Sequence, residues 1–227
     1  MCFSATASFA VAAATAMTGA ATLRHVRRRR EVVLAAVPLL FAAQQAVEGV
    51  LWRLFDDVAD GVSPDSGAVT GLAFLFLIFA KVVWPVYTPL AVLLIEPSPR
   101  RRQAAAALLV VGAAISLYLL ADMIATPPTA AVWGHSIRYA SAVPAFSWEE
   151  VPYLLCTCLP LVLSSHRTVR VFGAVVVLGF VVSAWLFVTT YVSVWCFFAA
   201  ADSTLLYLYF KHAALAADTP RAAAPAG

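Results

Sequence analysis

The chain has 227 residues, 63% of them hydrophobic and 12% charged, with a formal net charge of +3 and a mean hydropathy of +0.88. A soluble domain carries about 25% charged residues, so these values exclude an ordinary water-soluble fold. The excess of positive charge is too small and too unevenly placed to point to nucleic acid.

Several stretches run to about 20 residues with few charges, the length that crosses roughly 30 Å of hydrocarbon. The sequence therefore predicts an all-α integral membrane bundle of about seven spans, near 4–23, 32–55, 69–95, 104–122, 150–165, 170–189 and 191–210. The first span has no charged side chain before it, unlike a cleaved signal peptide, and is read as retained. Residues 1–212 form one transmembrane domain. The tail 213–227, ending TPRAAAPAG, has the composition of a disordered segment.

Arginines set the expected orientation. Arg24 and Arg27 to Arg30 follow span one, Arg100 to Arg102 span three, Arg167 and Arg170 span five, and Lys211 and Arg221 span seven. The alternate loops hold only Arg53 and Arg138 among many carboxylates. Basic residues accumulate on the cytoplasmic side, which predicts the N-terminus outside and the C-terminus inside.

Span two reads FAAQQAVEGVLWRLF over 41–55. Gln45, Glu48 and Trp52 are spaced three and four apart, Gln44 lies four before Glu48, and the four form one stripe on the helix. A carboxylate facing lipid is costly, so the stripe should face the bundle interior or a water-filled cavity. In span three, KVVWPVYTP places Lys81 near mid-span beside Trp84 and Pro85. A lone ammonium there needs a partner; Asp202 of span seven is the first expectation and Glu48 the second. Pro85 and Pro89 should kink this span and free carbonyls toward the interior.

The outer loop 123–148 contains AVWGHSIRYASA, with a period-two pattern flanked by prolines. It predicts a short extended or hairpin lid that brings His135, Arg138 and Tyr139 near Glu48 and Trp52. With Trp84, Trp195 and Cys196 these residues complete the expected ligand pocket. Cys156 and Cys158 read as small buried hydrophobes. Cys2 and Cys196 are open to three fates: a disulfide, a metal site or free thiols. Cys2, Glu48 and His135 are the candidate catalytic groups and the candidate ligands of a metal. An inner zinc site from His25, His166 and His212 is disfavoured by the surrounding arginines and the lack of an HxxxH pair. No Walker, Rossmann or nucleophile-elbow motif occurs.

The strings MCFSATASF, QQAVEGVLW, HSIRY, LSSHR and YVSVWCFFAA resemble a family of bacterial multi-pass membrane proteins of unknown function that begin MCFSA. The resemblance implies a bacterial cytoplasmic-membrane protein and brings no reaction with it. A seven-span topology is also similar to that of rhodopsins, but span seven has only Lys211 at its end, so no retinal is expected. The functional expectation is a binding or sensing bundle for a small molecule or lipid headgroup, with membrane lipids around it. A signalling partner or second copy stays open. The alternatives are a thiol- or metal-dependent enzyme acting at the outer face, and a small-solute transporter.

Overall fold

The computed structural model describes residues 4–56, 58–64, 66–142 and 146–218, the side chains of 213–218 excepted. Cys2 lies outside the described residues. Helix α1 spans Ala5–Arg24, a short α2 Val32–Ala35, α3 Val37–Leu54, α4 Gly67–Leu77, α5 Trp84–Ile95 and α6 Pro99–Ala125. Strands β1 (Thr129–Trp133) and β2 (Ser136–Ala140) form a hairpin, followed by α7 Glu150–Leu163, α8 Arg167–Leu186, α9 Tyr191–Asp202 and α10 Leu205–Asp218. The remainder of the tail lies outside the described residues.

Taken as continuous rods, six helical segments among the described residues are long and apolar enough to cross a membrane: 5–24, 29–54, 67–95, 99–125, 167–186 and 191–212. The stretch expected as a fifth span is a shorter apolar helix, α7, of 14 residues. At 1.5 Å per residue it covers about 21 Å, less than a hydrocarbon core.

Helix starts follow from local chemistry. Ser4 and Ser66 cap α1 and α4 by accepting from the Ala7 and Val69 N–H groups at 3.2 and 3.1 Å. Pro99 opens α6, where its missing N–H is not needed. The buried stripe of α1, Ser8, Ala12, Thr15, Gly19 and Thr22, is small and spaced three or four apart, so α3 approaches closely. Thr15 and Thr22 return their hydroxyls to carbonyls one turn back, which leaves no free donor in an apolar setting.

Between α4 and α5, residues Ile78–Val83 form a π-helical segment containing Lys81. Such a segment, followed by Pro85, releases carbonyls from the helical ladder. Neighbouring helices supply the donors: Ser116 Oγ of α6 to the Val82 oxygen at 2.8 Å, and the Tyr153 hydroxyl of α7 to the Ala80 oxygen. The Tyr87 hydroxyl donates to the Val33 oxygen at 2.6 Å, where the helix is interrupted at Ala36. The expected disturbance of span three thus appears as a π segment rather than a simple proline kink.

The hairpin turn is Gly134-His135, with Gly134 at φ +62, a conformation glycine adopts without strain. Both Asp60 carboxylate oxygens accept from the Gly134 N–H, at 3.0 and 3.1 Å. Ala130 and Ile137 seat the hairpin on Leu51, Phe55, Val69 and Ala73 of the α3–α4 corner. At the opposite end of the bundle, the turns after α1, α5 and α7 lie together: His25 packs on Tyr207, and Ser165 and His166 meet Glu96, Ile95 and Tyr209. These are the arginine-bearing turns.

Helices α5 and α6 touch at Gly112, where an added Cβ would collide with the Pro85 carbonyl oxygen. Gly71, by contrast, has nothing within 4 Å. We therefore expect Gly112→Ala to cost about 3 kcal/mol or more by overpacking, while Gly71→Ala leaves stability unchanged or slightly raised. Thermal unfolding of the two variants in the same detergent checks the contrast.

Candidate functional site

The site begins with α3. Gln44 and Gln45 are 0% exposed and Glu48 1%. Their helical spacing turns them inward together, as the stripe predicts. Trp84 Nε1 donates to Gln44 Oε1 at 3.0 Å, and its ring stacks on Phe41 with centroids 4.1 Å apart. The Tyr139 hydroxyl donates to Glu48 Oε1 at 3.3 Å, its ring lying parallel to Phe76 at 4.4 Å. Ser193 of α9 and Gln45 also face the Glu48 carboxyl, and Cys196 lies beside Gln44. Gln44 Nε2 and both amide atoms of Gln45 have no hydrogen-bond partner among the described residues. Burial first, then the Glu48 carboxyl, holds the Tyr139 phenol well above its usual range, so it remains a donor.

Beside this cluster, under the end of β2, lies a polar cavity of about 70 Å³. That is room for about five water-sized volumes. Its polar wall is Lys81, Ser141, Glu149, Glu150, Tyr153 and Tyr191, while Tyr139, Trp195 and Cys196 face it from the core. Lys81 Nζ donates to Ser141 Oγ at 2.7 Å, Tyr191 to Glu150 at 2.9 Å and Tyr118 to Glu149 at 3.2 Å. Beyond Trp195 and Cys196 a second cavity of about 40 Å³ is almost wholly apolar, lined by Leu34, Phe41, Trp84, Leu161 and others.

Several expected members stand elsewhere. His135 occupies the exposed hairpin turn, four residues from Tyr139 and so about 13 Å along the strand. Arg138 alternates to the other face and lies over Trp133, 4.9 Å from the ring centroid. Neither meets Glu48: His135 is held in the turn at that distance, and strand geometry sends Arg138 to the face opposite Tyr139. Trp52 packs in the apolar seat of the hairpin rather than in the cavity. The catalytic and metal set of Cys2, Glu48 and His135 is therefore not assembled by its two described members. No group of three or more metal-ligating side chains occurs among the described residues. Cys156, Cys158 and Cys196 are buried thiols.

The Lys81–Asp202 pair is also replaced. The carboxylates facing Lys81 are Glu150, Asp122 and Glu149, and neither Asp202 nor Glu48 pairs with it. Asp202 ends α9, whereas Lys81 lies level with that helix's first residue, Tyr191, in the cavity wall. The 11 residues between them amount to about 16 Å of helix. Residues 67–95 make an unusually long rod of 29 residues, so its midpoint is not the depth of Asp202.

At the arginine end, Glu96 is 4% exposed and accepts from the Ser165 N–H at 2.8 Å, the Ser98 N–H at 3.1 Å and the Ser165 hydroxyl. Burial pushes this carboxyl up, but the hydrogen bonds from Ser165 and Ser98 outweigh it and hold it below its ordinary value. His166 spans the Ile95 oxygen and the Tyr209 hydroxyl at 3.2 and 3.3 Å. The LSSHR string is thus a clamp between turns.

Sequence reasoning missed Ser141, Glu149, Glu150, Tyr153, Tyr191 and Ser193 as members of the site. Ser193 carried a signal, lying three residues before Cys196 on one helix face. Glu149 and Glu150 read as loop acids, and only an unpartnered Lys81 pointed to them.

The fold and its site define a multi-pass helical membrane protein whose buried polar cluster is roofed by a β-hairpin. The sequence matches a family of unknown function, DUF6629, over residues 1–221, and the chain belongs to that family. No curated protein and no solved structure matches it.

Removing the Tyr139 hydroxyl takes one donor from a buried carboxyl. Tyr139→Phe should cost about 2 kcal/mol, read as a lower unfolding temperature, whereas His135→Ala on the exposed turn should move it little.

Proposed function

We propose that this protein is a seven-span binding or sensing bundle of the bacterial cytoplasmic membrane. Its N-terminus is outside, and it takes a small molecule into the hairpin-roofed cavity from the outer face. The observation that carries this reading is the cavity itself: lined by an ammonium, two carboxylates and several hydroxyls, and walled by aromatic rings. Small-ligand sites combine apolar walls with a few convergent polar groups in this way. The side assignment rests on the basic turns, which gather at the end away from the hairpin. In this reading α7, together with the turns at its two ends, is the further crossing that this distribution requires.

Conduction is disfavoured because the way onward passes Trp195 and Cys196 into an apolar cavity, with no polar step toward Asp202. Thiol or metal chemistry is disfavoured by the exposed position of His135. Cysteine labelling tests side and access together, using Ser141→Cys and Arg101→Cys in a Cys2→Ser background in intact cells. A membrane-impermeant maleimide should reach position 141 from outside and position 101 only after permeabilisation. Labelling of 101 in intact cells would overturn the orientation, and an inert 141 in opened membranes would overturn access to the cavity.

A further inference from the structure

Resting on the reading of this cavity as a ligand site, the geometry points to a short-chain primary ammonium as its ligand, held between Glu149 and Glu150. Charge comes first. Lys81 is the one ammonium side chain of the lining, set against two carboxyl side chains, Glu149 and Glu150. Lys81 is committed to Ser141. Glu150 Oε2 is engaged by Tyr191 and Glu149 Oε1 by Tyr118.

Glu149 Oε2 is different. The residue is 6% exposed and lines the cavity, yet that oxygen has no hydrogen-bond partner among the described residues. A hydrogen bond from the Ser147 side chain, ahead of burial, keeps this carboxyl below its ordinary value, so it carries its charge at neutral pH. A buried charged oxygen without a donor is costly and calls for a cationic or donating partner.

Shape and surface narrow the class. About 70 Å³ exceeds one water or a bare ion and suits a ligand of about four to six heavy atoms. An ammonium offers three donors, and Glu149, Glu150 and Thr190 line the same cavity with acceptor oxygens. Tyr139, Tyr153, Tyr191 and Trp195 give ring surfaces suited to the methylenes of an organic cation and to the cation itself. Ethanolamine has this size and chemistry, whether as the free amine or as the headgroup of a phospholipid.

The test uses the full chain in nanodiscs of phosphatidylglycerol alone. It is titrated with ethanolamine, with the neutral isostere ethylene glycol and with the anion glycolate, and read by unfolding temperature and tryptophan fluorescence. Ethanolamine alone should give a saturable response, weakened at least tenfold in Glu149→Gln. The selectivity among the three probes holds the inference to account even if that variant fails to fold. Nanodiscs containing phosphatidylethanolamine separate the two sources: loss of the response to added ethanolamine means the headgroup fills the site, and an unchanged response means the free amine does. A saturable response to glycolate or glycol with none to ethanolamine would overturn the ammonium while leaving the ligand site standing. No response to any probe would overturn both.

Discussion

Three polar side chains of one apolar helix, Gln44, Gln45 and Glu48, are cut off from water, and the partners that Gln44 and Glu48 take organise the bundle around them. An unsatisfied polar group in such surroundings costs several kcal/mol. Trp84 from α5 answers Gln44, and Tyr139 from the hairpin answers Glu48. The second contact also fixes the hairpin's register. A one-residue slip of β2 would send Tyr139 outward and bring Arg138 against the Phe76 face. Cross-strand pairing of Ala130 with Tyr139 and burial of Ile137 enforce the same choice.

The π segment ties that cluster to the cavity. By breaking the regular ladder at 78–83 it places Lys81 in the cavity wall, one turn before the Gln44 partner Trp84. The carbonyls it releases are bound by Ser116 and Tyr153, so α6 and α7 are locked to α5 by the irregularity that shapes the site. Pro85 and Gly112 reinforce this contact, one giving up an N–H and the other a side chain where two backbones meet. Fold and site therefore share one cause: irregular backbone is tolerated in an apolar setting only where protein groups satisfy it.

Much of this was legible in the residues. The long spans followed from apolar length, and the inward face of Gln44, Gln45 and Glu48 from helical spacing. The hairpin followed from alternation around Gly134. Its inward and outward faces did not, because alternation alone leaves the phase open; Tyr139 points in, while Arg138 stacks on Trp133. Lys81 was misassigned because depth was counted as if all spans had equal length and regular turns. A 29-residue rod with a π segment breaks both assumptions. Glu149 and Glu150 became visible only when the short α7 put them under the hairpin rather than in open loop.

The most direct measurement of whether the hairpin is a seated roof is a pulsed electron spin resonance distance in lipid nanodiscs. Nitroxides would be attached through cysteines at exposed His135 and exposed Gln103, in a Cys2→Ser background. A hairpin held by Tyr139 on Glu48 gives a single narrow distribution, which broadens on Tyr139→Phe. A broad or two-peaked distribution in the otherwise unaltered chain would mean that the roof is not fixed to the bundle, and would contradict the roofed polar site.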